Sequence, residues 1–265
     1  CEAEQATDSM ALRVWPQEKQ LPADRAQQRL RAAIYAAIEP SLTGPVHRAL
    51  DLGCSVGVGT LALRDWLQQR QRDIGSEASL QVEGLDLSAE MLAVARVREA
   101  EQRAGSHLVE PGVSAAARAE HAATASARRA AADPSPAGSP GVVQANPITW
   151  HHAAAEASGL APGAYDLVTL QFVCHELPQA ATAAVLCEAA RLLRPGGVIA
   201  VVDQDPDSEV IRRLPAPIAT LLKSTEPYLE DYFRLDFPAA LQAAGFHSVR
   251  REAADPRHRV LVATR

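Results

Sequence analysis

The chain has 265 residues, a formal net charge of -6 and a hydrophobic fraction of 47%. That length allows one sizeable α/β domain with a packed core. The negative charge disfavours a nucleic-acid partner, because binding to a phosphate backbone usually needs a basic surface. No apolar run approaches the roughly 20 residues of a membrane span. The four cysteines include no CxxC pair of a zinc or redox site, and their apolar surroundings indicate buried, reduced thiols and an intracellular location.

Strands and helices alternate in the first part of the chain. After an irregular N-terminal arm over residues 1–23, the spacing of apolar residues predicts a helix from Asp24 to Ile38. The elements predicted next are a strand over 46–52, a glycine-bearing turn over 53–59, a helix over 60–71, a strand over 80–87 and a helix from Ser88. This alternation is typical of a parallel sheet with helices on its faces.

The alternation breaks over residues 101–141, which are mainly Ala, Ser, Arg, Pro and Gly. Such a segment has too few large apolar side chains to offset the entropy lost on ordering. We therefore predict a disordered surface insertion within one domain that spans residues 24–265. A tether or a partner-binding helix is the alternative interpretation.

Regular structure is predicted again from Ile148 onward. The pattern predicts a strand over 166–173, a helix over 180–193, a tight turn over 195–197, a strand over 198–203, a helix over 237–244 and a closing hairpin of strands over 246–252 and 258–264. Gly245 stands where a glycine commonly ends a helix.

The glycine-bearing turn follows the first strand directly, in the run DLGCSVGVG over residues 51–59. A nucleotide-like ligand can lie across such a turn only where side chains are missing. The N-terminus of the next helix offers free amides to a carboxylate or phosphate. Asp86 ends the following strand, where an acid can accept both ribose hydroxyls of an adenosine. The alternatives are a purely structural turn and a surface or capping aspartate.

Two classes of cofactor fit these features. The turn also matches short-chain dehydrogenases, which bind NAD(P) and need a tyrosine four residues before a lysine. The two lysines, Lys19 and Lys223, are preceded at that spacing by Trp15 and Ala219. The dehydrogenase dyad is therefore missing.

Four motifs in order resemble those of the class I S-adenosylmethionine-dependent methyltransferases. They are DLGCSVG over 51–57, GLDLS over 84–88 followed by Met91 and Leu92, YDLV over 165–168 with Gln171, and LRPGG over 193–197. The resemblance covers residues 24–265 apart from the insertion. It implies a Rossmann-like, doubly wound α/β sheet of seven strands, mostly parallel with a reversed last strand, and S-adenosylmethionine as the cofactor.

The resemblance also implies the cofactor contacts. The methionine part would face Gly53, Ser55 and Gly57, and the ribose would face Asp86. The full set of predicted cofactor-binding residues is Asp51, Gly53, Ser55, Gly57, Asp86, Leu87, Ala154, Ala155 and Gln171. Two residues depart from the family pattern: Ser55 replaces a common glycine, and Ala154 replaces a common aspartate in the adenine-contacting stretch.

A candidate general base follows the fourth strand. His175 lies just beyond the carboxyl end of that strand, where ligands bind in such sheets. Imidazole titrates near neutral pH, and Glu176 is predicted to orient it. The alternative is that His175 only caps or packs the next helix. The acids Asp203, Asp205 and Asp207 are interpreted as loop residues and caps, and no metal is predicted.

The predicted function is transfer of a methyl group from S-adenosylmethionine to a small-molecule acceptor. Residues 210–232 stand where the family inserts a substrate-covering segment, and its polar candidates are Lys223, Glu226, Tyr228 and Tyr232; a solvated helical connector is the alternative. The alternatives are a non-catalytic, cofactor-binding regulatory protein and a protein or nucleic-acid methyltransferase. This chain lacks the Asn/Asp-Pro-Pro-Tyr/Trp motif of amino-group methylation after its fourth strand, which disfavours the second alternative.

A closer resemblance involves LKSTEP over 222–227 and DPRHR over 255–259. These runs are similar to those of a poorly characterised group of methyltransferases from plants, algae and cyanobacteria. That resemblance implies a cytoplasmic or plastid protein. The sequence names neither the acceptor nor the oligomeric state.

Overall fold

A seven-stranded sheet forms the centre of the molecule in the computed structural model, which describes residues 23–104 and 146–265. Its strands are β1 (Arg48–Leu52), β2 (Gln81–Asp86), β3 (Thr149–His152), β4 (Tyr165–Gln171), β5 (Leu193–Gln204), β6 (His247–Ala253) and β7 (His258–Thr264). The strand order is β3-β2-β1-β4-β5-β7-β6.

The direction of the strands confirms the predicted fold class. β3, β2, β1, β4 and β5 are mutually parallel, whereas β7 runs antiparallel to both of its neighbours. β4 is buried along almost its whole length, as expected for a strand covered on both faces. The chain moves outward in one direction from β1 and in the other from β4. The carboxyl ends of these two strands therefore form the switch point where ligands bind in such sheets.

Helices cover both faces of the sheet. They are α1 (Ala23–Ile38), α2 (Val58–Asp73), α3 (Ala89–Arg103), α4 (Gln179–Leu192), α5 (Glu209–Arg212), α6 (Ala216–Thr225), α7 (Leu229–Arg234) and α8 (Phe237–Ala243). One core contains Ile34, Leu63 and Leu67 from α1 and α2. The opposite core contains residues of α4, α7 and α8. Within the described ranges, no helix has the length and apolar character needed to cross a membrane.

The structure differs from the sequence-based boundaries at β5 and at α3. The predicted turn over 195–197 lies within β5 as a bulge, because Tyr165 pairs with Leu193 while Leu167 pairs with Val198. α3 continues to Arg103, and Gln102 accepts a hydrogen bond from the buried Arg64 at 2.8 Å. The rest of the predicted insertion, from residue 105, lies outside the described residues, as does the predicted arm up to residue 22.

Candidate methyl-transfer site

The turn after β1 contains three residues with positive φ and is hydrogen-bonded to the neighbouring strand. Gly53 and Gly57 have φ angles of +73° and +78°, and Ser55 between them has +48°. The N–H groups of Gly53 and Cys54 both donate to the carbonyl of Leu85 in β2, at 2.8 and 3.0 Å. The turn is therefore fastened to the neighbouring strand.

The glycines are required by contacts within the protein as well as by their backbone angles. A Cβ atom on Gly53 would lie 2.6 Å from Cγ2 of Val173. A Cβ atom on Gly57 would lie 2.7 Å from Cη2 of Trp150 and 2.9 Å from Cβ of Ala95. These glycines, which are predicted from the sequence to make room for a ligand, are also required by close packing.

Asp86 joins the turn to the start of α3. Its Oδ2 accepts the backbone N–H of Ser55 at 2.7 Å, and its Oδ1 accepts that of Ser88 at 2.9 Å. The side chain is half-buried. A carboxylate has about four acceptor positions, and these two bonds leave capacity on both oxygens for further donors. Ser55, the departure from the family pattern, thus contributes its backbone N–H to the acid predicted to bind ribose.

Asp51 and Gln171 are bonded to each other. The carboxylate of Asp51 is buried and accepts the hydroxyls of Thr60 and Thr169, both at 2.7 Å, and the Gln171 amide at 3.2 Å. Burial raises the pKa of Asp51, and the three donors act against that rise. These bonds tie the end of β1 to α2 and β4. The predicted cofactor contacts at Asp51 and Gln171 remain predictions.

The predicted adenine side lies beyond β2 and β3. Leu87 is 70% exposed. The Ala153 N–H donates to the carbonyl of Asp86 at 3.1 Å, which places Ala154 and Ala155 beside the acid at the end of β2. Both alanines are half-buried. The structure therefore brings the predicted ribose and adenine residues to one edge of the sheet.

His175 occupies a 3-10 turn just beyond β4 and is 1% exposed. Its ring Nδ1 lies 2.8 Å from Oδ1 of Asp203, and its backbone N–H donates to Oδ2 of Asp203 at 3.2 Å. The prediction that Glu176 orients this ring is wrong, because Asp203 does so. β4 and β5 are paired neighbours, with Gln171 opposite Val202, so the residues after β4 meet the end of β5.

Two glutamates approach the same histidine. A ring nitrogen of His175 and carboxylate oxygens of Glu176 and Glu226 lie within 4.8 Å of one another. Glu176 is exposed, and Glu226 is half-buried at the end of α6. The rings of Tyr232 and His175 stand at 77° to each other with centroids 6.4 Å apart, and the Tyr232 hydroxyl donates to the carbonyl of Gln204 at 2.6 Å.

The other acids after β5 have separate partners. Asp205 and Asp207 both form ion pairs with Arg251, the latter at 2.8 Å. Asp203, Asp205 and Asp207 therefore do not converge on one point. The proximity of Glu226 to His175 was not predicted from the sequence. The one sequence signal for Glu226 was its place in the predicted substrate-covering segment.

The remaining candidates of that segment have different surroundings. Lys223 forms an ion pair with Glu230 at 3.0 Å, and Tyr228 is exposed. Lys223 also lines a cavity of about 260 Å³ with otherwise mainly apolar neighbours, which are Pro206, Ile211, Arg212, Leu214, Ala219, Leu222, Leu229 and Phe233.

Comparison with known proteins identifies the family. The family described as "Methyltransferase domain" matches residues 50–201, which is more than half of the chain. This chain belongs to that methyltransferase family. The match runs from β1 into β5, so it includes the glycine-bearing turn, Asp86 and His175. No curated protein matches the sequence.

Solved structures share the methyltransferase fold. A protein of Bordetella parapertussis described as a possible exported protein has a TM-score of 0.53 and 18% identity, over 92% of this chain and 70% of that one. Phosphoethanolamine N-methyltransferase 2 of Haemonchus contortus, in complex with S-adenosyl-L-methionine, has a TM-score of 0.52 and 17% identity, over 89% of this chain and 52% of that one. The CurJ carbon methyltransferase has a TM-score of 0.52 and 16% identity, over 89% of this chain and 53% of that one. This chain thus spans about half of the last two.

Proposed function

We propose that this methyltransferase uses S-adenosylmethionine to methylate a small-molecule acceptor. One observation carries the proposal: the turn with Asp86 and the buried His175–Asp203 pair lie at the carboxyl ends of neighbouring strands. Val173, two residues before His175, packs against Gly53 of the turn. A bound methyl donor and a proton acceptor would therefore be close together. The Haemonchus contortus methyltransferase, with S-adenosyl-L-methionine bound, supports the choice of cofactor.

The residues of the cofactor site fit that group. Asp86 keeps acceptor capacity for ribose hydroxyls, and the exposed Leu87 offers an apolar surface to an adenine ring. Ala154 and Ala155 would contribute backbone contacts. The methionine part would face Gly53, Ser55 and Gly57, while Asp51 and Gln171 would hold the turn in shape. When bound, the sulfonium supplies an electrophilic methyl group.

The chain's own part in the reaction is to align the acceptor and to accept a proton. Alignment of reacting atoms can contribute roughly 7–11 kcal/mol. Asp203 accepts the Nδ1–H of His175, which makes Nε2 the basic nitrogen. A positioned base contributes typically about 10²–10⁴-fold to the rate. His175 and Asp203 are both buried, at 1% exposure each.

The test starts with calorimetric titration of the protein with S-adenosylhomocysteine, beside NADPH. Micromolar binding of the first alone is expected, followed by labelled methyl transfer to a component of a metabolite extract. Binding without turnover on any extract would indicate the non-catalytic alternative. Folded protein that binds neither ligand would contradict the proposal. Asp203→Asn should lower kcat and shift its pH profile while S-adenosylhomocysteine binding stays unchanged.

The wider setting is also a proposal. We infer one methyltransferase domain over residues 24–265, with an insertion that follows the end of α3 at Arg103 and corresponds to most of the predicted 101–141 segment, acting inside a cell or plastid. The resemblance of residues 222–227 and 255–259 to methyltransferases of plants, algae and cyanobacteria supports this location. The net charge of -6 favours a small molecule over nucleic acid as the acceptor.

A further inference from the structure

Negative charge is concentrated where the acceptor would lie. The carboxylates of Glu176 and Glu226 are within 4.8 Å of each other and of a His175 ring nitrogen. Across residues 23–104 and 146–265, no lysine or arginine forms an ion pair with either glutamate. Asp203, bonded to His175, adds a third carboxylate to the group. A ligand with positive charge would complement this surface.

The surroundings of Glu226 support the same conclusion. Burial raises the pKa of its carboxyl; His175 lowers it, and the like charge of Glu176 raises it again. A carboxylate that is partly removed from water gains most from a bound cation. The buried Arg259 on β7 does not serve this purpose, since its guanidinium lies over the rings of Tyr232 and Phe237, 5.7 and 5.4 Å from their centroids.

Two backbone hydrogen-bond partners of Glu226 line a mainly apolar cavity. The Glu226 N–H donates to the carbonyl of Leu222 at 2.9 Å, and its carbonyl accepts the N–H of Leu229 at 3.2 Å. Both leucines line the cavity of about 260 Å³. Pockets for drug-sized ligands are roughly 300–1,000 Å³, so this one suits a smaller apolar body. Two basic residues, Arg212 and Lys223, also line the cavity, and Lys223 is paired with Glu230.

We infer that the methyl acceptor is a small apolar amine, with its ammonium group between Glu176 and Glu226 and its apolar body in the adjoining cavity. The inference rests on the proposed function and specifies its substrate class. An anionic acceptor would meet like charge at this position. An uncharged alcohol would bring no positive charge to the two glutamates.

The chemistry requires the ammonium to lose one proton before its nitrogen can attack. His175 takes that proton at Nε2 while Asp203 remains bonded at Nδ1. The nitrogen lone pair then forms a bond to the methyl carbon as the carbon–sulfur bond breaks, and that electron pair stays on sulfur. The product is a methylated ammonium, and the proton passes from His175 to solvent.

The experiment compares matched acceptors on the S-adenosylhomocysteine complex of the full chain. Three pairs serve as probes: benzylamine with benzyl alcohol, phenethylamine with 2-phenylethanol, and hexylamine with hexanol. Binding is measured by calorimetry for the wild type and for Glu176→Gln/Glu226→Gln. Glu209→Gln is the matched control, because Glu209 is exposed and pairs with Arg213 away from His175. Amine binding at least about tenfold tighter than alcohol binding is expected in the wild type and the control.

The double variant should lose this preference and keep its affinity for S-adenosylhomocysteine. If no amine binds more tightly than its alcohol while S-adenosylhomocysteine still binds, the amine inference is overturned and the proposed methyl transfer stands. If S-adenosylhomocysteine does not bind to the wild type, both fail. Tight Zn²⁺ or Mn²⁺ binding that displaces the amine and is lost in the double variant would assign the glutamates to a metal and overturn the inference.

Discussion

Asp86→Asn separates the structural and the ligand-binding roles of one carboxylate. Its oxygens accept the N–H groups of Ser55 and Ser88 at 2.7 and 2.9 Å. In Asn, one oxygen becomes an NH₂ group, which would face an N–H donor, so one of these bonds is lost. A hydrogen bond to a charged group contributes about 1.5–3 kcal/mol. Because Asp86 is half-buried, we expect the free energy of unfolding to fall by about 1.5 kcal/mol.

The effect on binding is expected to be larger. If Asp86 accepts both ribose hydroxyls, the amide keeps one of those bonds and loses the other. A loss of about 1.5–3 kcal/mol corresponds to roughly 10- to 150-fold weaker binding of S-adenosylhomocysteine. Titration calorimetry measures the affinity, and thermal unfolding of the same preparation measures stability.

A matched control excludes a general effect of removing one negative charge. Asp73 is exposed at the end of α2 and accepts a hydrogen bond from Gln69 at 2.7 Å. Asp73→Asn should bind S-adenosylhomocysteine like the wild type. If Asp86→Asn also binds within about twofold of the wild type, the assignment of Asp86 to ribose is refuted.

Three further predictions concern the base, the turn and an ion pair. His175→Ala should lower turnover at least about tenfold in a labelled methyl-transfer assay, and the wild-type rate should persist in excess chelator. Gly57→Ala should reduce the free energy of unfolding by about 2–4 kcal/mol in urea, because a positive φ costs roughly 1–2 kcal/mol and its Cβ would meet side-chain atoms at 2.7 and 2.9 Å. Gly75→Ala, at φ +64° in open space, should show only the backbone cost. Arg191 first, and then hydrogen bonds from Ser158, lower the pKa of Glu188 from 4.5 to about 2, so the stabilisation from these contacts is full above pH 4.5 and is lost as pH falls through 2. Glu188→Gln should therefore lose less stability than the wild type over that interval, as measured by urea unfolding.

Each of these results has a clear opposite. Undiminished turnover of His175→Ala would leave this histidine only a packing role. Equal destabilisation by Gly57→Ala and Gly75→Ala would mean that the side chains around Gly57 move aside at no cost. Parallel acid-unfolding curves for Glu188→Gln and the wild type would show that this ion pair contributes nothing to the pH dependence.

The order of most elements could be predicted from local patterns, although β3 and the helices α5, α6 and α7 were not predicted. Apolar spacing in strands and helices repeats over a few residues, so the β-α alternation and the closing hairpin were predictable. The bulge over 194–197 could not be predicted, because the run LRPGG by itself is equally suited to a turn. Its pairing with β4, through Tyr165 and Leu193, decides the outcome.

The candidate site divides in the same way. The sequence by itself determined the glycine-bearing turn and the position of Asp86, because both belong to single strand ends with distinctive residues. Only the tertiary structure decided that Asp203, rather than the adjacent Glu176, bonds His175, and that Glu226 reaches the same place. The physical reason is that strand pairing joins residues 28 or more positions apart, and no local periodicity records that contact.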